Sequence, residues 1–176
     1  VGRLDKEKHP DVLIKAFSHI PPQTHIKLVI TGKGTEKTRL IQLAKKLGIS
    51  KKVLFTDFVP NKDLPFLYGM ADLFVIASIA ELQSIATMEA MATGLPVVAA
   101  RAMALPELVR DDKNGYLFNP GDTETLANQI IKILNNPSLR KRMSENSLKV
   151  IQRHNLKNTI RNYEKLYRKL ASTSKV

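Results

Sequence analysis

A chain of 176 residues, 43% hydrophobic and 25% charged, has one domain's length and an ordinary globular mixture with enough interior for a sizeable core. With no Cys, disulfides and thiolate metal sites are excluded, and four scattered His show no metal-ligand spacing, so no metal is expected. No apolar run approaches the roughly 20 residues of a spanning helix. The net charge of +12, with pI about 10, points to an anionic partner: nucleic acid, an anionic membrane surface, or a phosphorylated ligand. Few aromatics, no Trp and no base-reading motif argue against nucleic acid.

Residues 1–4 read as a short strand and residues 5–8 as a charged loop. Pro10 suits a first helical turn, and Val12, Leu13, Ala16, Phe17 and Ile20 recur at helical spacing over residues 11–20. Pro21 and Pro22 break that helix. Residues 26–31 form a buried strand, Gly32-Lys33-Gly34 a tight turn at its carboxyl end, and residues 36–47 a helix stopped by Gly48. Residues 52–55 are the third strand. Residues 61–68 are a short helix capped by Asn61, with Phe66 and Tyr68 expected in the core. Residues 72–77 are the fourth strand.

The stretch 77–100 (ASIAELQSIATMEAMATGLPVVAA) carries the chemistry. A loop with Glu81 leads into a helix that begins near Ser84 and contains Glu89. Gly94 and Pro96 stop the helix, and residues 97–100 are the fifth strand. In open α/β sheets ligands bind outside the carboxyl ends of the strands, where Glu81 falls. The first amides of the helix are unpaired and partly positive, which suits phosphate. Two carboxylates flanking such a site can accept from two sets of hydroxyls, so the pattern fits a diphosphate between two polyols, a nucleotide sugar. A glycosidase acid–nucleophile pair would have no use for the phosphate-ready helix start.

Beyond it, residues 105–109 begin a short helix, 111–115 a turn and 116–118 the sixth strand. Residues 122–134 are an amphipathic helix, Pro137 opens another over 138–153, and 155–170 form the last. That helix carries Ile160, Tyr163, Leu166, Tyr167 and Leu170 on one stripe, and residues 171–176 are expected to fray. Strands and helices alternate six times. The fold class is therefore α/β: a Rossmann-like three-layer αβα arrangement around a six-stranded parallel sheet.

Glu81 and Glu89, seven residues apart in the intervening count and followed by AMATGLPVVA, resemble the Glu–seven–Glu motif of retaining group-1 glycosyltransferases with the GT-B fold. VGRLDKEK at 1–8, ADLFVIAS at 71–78, PELV at 106–109 and NGYLF at 114–118 are similar to the same family, in the same order. The resemblance implies the C-terminal, donor-binding half of a two-domain enzyme. It implies transfer from a UDP- or GDP-sugar with retention and without metal. Arg3 and Lys8 would hold the diphosphate, Glu81 the donor sugar and Glu89 the ribose. Gly32 and Gly34 would let backbone approach the nucleotide, the main chain of Phe58 and Val59 would read the base, and Ser84, Ile85 and Ala86 would support the phosphates. Gln83 would bias the sugar accepted. Residues 1–153 would be the donor domain, and the helix and tail of 154–176 would cross to the acceptor-binding N-terminal half. The implied setting is cytoplasmic, with an anionic membrane surface as a further partner. His9, Asp57 and Met103-Ala104 stand where the family usually has glycine, and Leu82-Gln83-Ser84 stands where it often has Gly-Phe-Gly. The other reading is a non-catalytic Rossmann-like module docking on anionic lipid or a protein. A third reading, a nucleotide-sugar epimerase or a phosphorylase on the same fold, needs a catalytic His or a cofactor Lys that is not identifiable in this chain.

Overall fold

A computed structural model describes residues 1–173. Residues 174–176 of the expected fraying tail lie outside the described residues. Five parallel strands are present among these: β1 (Leu28–Ile30), β2 (Val53–Phe55), β3 (Phe74–Ile76), β4 (Val97–Ala100) and β5 (Gly115–Phe118). β1 pairs with β2 in one sheet, and β3, β4 and β5 form a second in that order. The expected single six-stranded sheet is thus corrected. Residues 1–4 are extended but not a strand: Gly2 N–H donates to Thr31 O at 3.0 Å and Leu4 N–H to Lys33 O at 2.8 Å. Their hydrogen bonds go to the loop after β1, so nothing joins β1 to β3.

α1 (Pro10–Ser18) precedes β1, and between the strands run α2 (Lys37–Lys46), α3 (Leu64–Gly69), α4 (Ile85–Ala92) and α5 (Leu105–Leu108). After β5 come α6 (Thr123–Leu134), α7 (Pro137–Ile151) and α8 (Leu156–Thr173). Proline at the first turn opens α1 and α7, where the missing N–H costs nothing. Asp122 and Asn136 cap α6 and α7 by accepting from Thr125 N–H and Leu139 N–H, each at 2.9 Å. Asn61 does not cap α3: the residues before Leu64 turn instead, and Pro65 fits that helix's first turn.

The central strand β4 is buried along its whole length because β3 and β5 flank it. Val97, Val98, Phe118, Leu126, Ile133 and Met143 are wholly enclosed in the main core. Leu4, Ile14, Ile30, Leu40 and Ala44 make a smaller core beside α2. Tyr68 is buried as expected, but Phe66 faces solvent. α8 packs chiefly on the 3-10 turn at Gln152–His154 among the described residues, and every residue from 160 to 172 is exposed, its apolar stripe included.

Candidate functional site

A cavity of about 780 Å³ lies between β1 and β3. It is lined by Arg3, Lys8, Glu81, Gln83, Ile85 and Ala86, together with residues of both strands. Six of the sequence-predicted residues therefore share one concave surface. Lys8 ends a 3-10 turn at Lys6–Lys8, and Glu81 stands in the loop from β3 to α4, 73 positions away. Their side chains meet: Lys8 Nζ donates to Glu81 Oε1 at 2.8 Å, and both are largely shielded from water. The Glu81 loop is pinned from the far side, where Ala104 N–H donates to the Glu81 carbonyl at 3.1 Å.

Arg3 lines the wall but turns its guanidinium to its own loop, to Asp5 at 3.0 Å and Glu7 at 3.4 Å. At 73% exposure it is free to swing toward an incoming anion. Ser84 is the residue before α4, yet its hydroxyl does not cap the helix. It is wholly buried and hydrogen-bonded to the Thr87 hydroxyl at 2.8 Å. The first turn of α4, Ile85 and Ala86 included, so has no side-chain cap.

Glu89 sits one turn further along α4, and among the described residues no Lys, Arg or His side chain forms an ion pair with it. Instead the Tyr68 hydroxyl donates to Glu89 Oε2 at 3.0 Å. Burial raises the Tyr68 phenol far above its ordinary pKa, and the neighbouring carboxylate adds to the shift. Sequence reasoning placed Tyr68 in the core and missed this bond. The signal was available, because a buried tyrosine needs a partner for its hydroxyl.

Gly32, Gly34, Phe58 and Val59 form a neighbouring loop cluster outside the cavity lining. Gly32 N–H donates to the Asp57 carbonyl at 2.7 Å, and Lys37 Nζ donates to Asp57 Oδ1 at 2.5 Å. Both glycines have a structural reason of their own. A Cβ at Gly32 would overlap the Gly2 carbonyl, and one at Gly34 the Leu4 carbonyl. Phe58 is exposed and Val59 half-buried.

His9, Asp57 and Met103 all have left-handed backbone, with φ of 47°, 58° and 49°. These are three of the four described non-glycine residues with positive φ, the other being Asp112. The loops keep a shape that favours glycine and bear the strain of a side chain there.

The family model "Glycosyl transferases group 1" matches residues 1–150. The chain belongs to this family. Among curated relatives, N-acetyl-α-D-glucosaminyl L-malate synthase of Bacillus anthracis is 30% identical over 168 residues, 95% of this chain and 44% of that protein. Among solved structures, HepE of Anabaena in complex with UDP superposes with a TM-score of 0.84 at 29% identity, covering 97% of this chain and 47% of that one. The catalytic domain of cholesterol-α-glucosyltransferase from Helicobacter pylori gives a TM-score of 0.80 at 31% identity, covering 88% of this chain and 96% of that domain. The group-1 chain described here thus spans less than half the length of the first two. Its Rossmann-like α/β fold is the one these GT-B neighbours share.

Proposed function

We propose that this chain is the donor-binding half of a retaining, metal-independent glycosyltransferase that uses a UDP- or GDP-sugar. The observation that carries the reading is the meeting of Lys8 and Glu81 on one cavity with Arg3 and the uncapped start of α4, in a chain of the group-1 family. UDP in the HepE neighbour favours uridine as the base. Donor binding replaces the Lys8–Glu81 bond: the ammonium turns to the diphosphate, and the carboxylate accepts from the sugar hydroxyls. Arg3 swings inward, and with Lys8 it neutralises the charge that grows on the leaving diphosphate as the glycosidic bond breaks. Ser84, Ile85 and Ala86 bring the helix start to the phosphates. Glu89 accepts from the ribose, Gln83 reaches the sugar, and Gly32, Gly34, Phe58 and Val59 frame the base. The acceptor lies on another half of the enzyme, to which α8 crosses.

Calorimetric titration with UDP, GDP, UDP-glucose and GDP-mannose in chelator tests this. One nucleotide family should bind saturably, and Glu89→Ala should weaken it at least tenfold. Transfer by the chain alone should be slight; robust turnover would overturn the half-site assignment.

A second reading is favoured by the exposed amphipathic α8, whose Lys157, Arg161, Lys165 and Arg168 flank an apolar stripe. There the chain is a module docking on anionic lipid. Vesicle binding that survives Glu81→Ala and Glu89→Ala, with no nucleotide bound, would select it.

A further inference from the structure

Tyr68 is the one buried tyrosine whose hydroxyl is committed to a carboxylate of the Glu–seven–Glu pair. It projects from α3, and its ring is held edge-on to Phe74 of β3, with centroids 6.0 Å apart and planes at 64°. The ring is only 3% exposed, so the phenol has little room to turn. Glu89, by contrast, is half-buried on α4 and has a flexible side chain. Among the described residues the Tyr68 hydroxyl is the one hydrogen-bond donor to its carboxylate. A rigid donor thus meets a mobile acceptor.

We propose that Tyr68 is a positioning residue for Glu89: its phenol fixes one carboxylate oxygen so that the other is presented to ligand hydroxyls. The inference rests on Glu89 being the ribose-binding carboxylate. The rigid partner removes the rotamer freedom that Glu89 would otherwise lose on binding. The phenol, raised above its ordinary range by burial and by the carboxylate, stays protonated through neutral pH and so keeps its proton for donation to Glu89. The open carboxylate oxygen of Glu89 is a hydrogen-bond acceptor. It therefore selects ligands that offer hydroxyls there and rejects an anionic group. The same bond ties α3 to α4, so the loop ahead of α3, which carries Phe58 and Val59, is fixed relative to the ribose contact.

Tyr68→Phe keeps the ring and its packing on Phe74 and removes only the hydroxyl. The full chain, Tyr68→Phe, Glu89→Gln and the double variant would be titrated with UDP and with 2′,3′-dideoxy-UDP, and their folding compared by circular dichroism. Tyr68→Phe should weaken UDP by about five- to tenfold. The double variant should bind no more weakly than Glu89→Gln alone, because the phenol acts through that carboxylate. For the dideoxy nucleotide Tyr68→Phe should cost nothing. An equal loss on both nucleotides, or no loss on UDP, would overturn the proposal, since a packing role would not distinguish them.

Phenol ionisation, followed by absorbance at alkaline pH, reads the bond without any ligand. One tyrosine that ionises late should be missing in Tyr68→Phe and should ionise at lower pH in Glu89→Gln. No such shift would mean the bond is absent in solution, and the proposal would fall. If the shift is seen but the parent chain binds neither UDP nor GDP, the ribose assignment of Glu89 fails instead, and the positioning role fails with it while the contact stands.

Discussion

At Met103 the backbone turns through the left-handed region although the residue is not glycine. A side chain there costs about 1 kcal/mol, from the approach of Cβ to the neighbouring carbonyl. The Met103 side chain is 59% exposed, so little packing offsets the cost. Met103→Gly should raise the free energy of unfolding by roughly 0.5 kcal/mol, once the greater freedom of glycine in the unfolded chain is subtracted. Urea unfolding with an unchanged slope and a higher midpoint would show it. His9 and Asp57 repeat the pattern, but Asp57 also holds Lys37 at 2.5 Å, so its replacement mixes two effects. The three departures from glycine are plain in the sequence; that all three keep the glycine-type turn is not. The turn is set by what the loop connects: His9 N–H donates to Lys6 O at 3.1 Å, and Asp57 O receives Gly32 N–H at 2.7 Å.

Among the elements, β4 and β5 pair over four residues each. Gly115 begins β5 where a Cβ would overlap the Val97 carbonyl. Its φ is not left-handed, so the requirement is space alone. Gly115→Ala must push the two strands apart, and should cost about 3 kcal/mol by overpacking, seen as a lower urea midpoint. The preceding Asn114 is wholly buried and satisfied: Nδ2 donates to the Leu108 carbonyl at 2.9 Å, and Oδ1 accepts from Arg110 N–H at 3.0 Å. The NGYLF segment is thus a packing device of the main core. Helices α1, α6 and α7 were legible because proline, capping residues and apolar spacing are local signals. The start of α3 was not. Asn61 is a good capping residue, but the chain from 61 to 63 turns before Leu64, and side-chain propensity gave way to the turn ahead of Pro65.

For the molecule as a whole, α8 and the central cavity are the two unmatched surfaces. α8 leaves its apolar stripe largely open to solvent: Ile160, Tyr163, Leu166, Tyr167 and Leu170 are each about half exposed or more. Removing residues 156–176 should therefore leave the thermal midpoint of the remaining fold unchanged to within about 2 °C, measured by circular dichroism. A large drop would mean that α8 packs on this domain in solution. The cavity, in turn, follows from the split between the two sheets, and it places Lys8 and Glu81 at its wall.

The sequence by itself determined the α/β class and the order of the elements after the first four residues, and it singled out Arg3, Lys8, Glu81, Gln83, Ile85 and Ala86, which line one cavity. Each rests on signals within a turn or two of chain: apolar period, proline and glycine placement, a carboxylate spacing. Only the tertiary structure decided the partners. Lys8 finds Glu81 across 73 positions and Tyr68 finds Glu89 across 21. Residues 1–4 give their hydrogen bonds to the loop after β1 rather than to a sixth strand. Such pairings depend on where separate elements come to rest against one another, and that is fixed by packing of the whole core rather than by any local pattern.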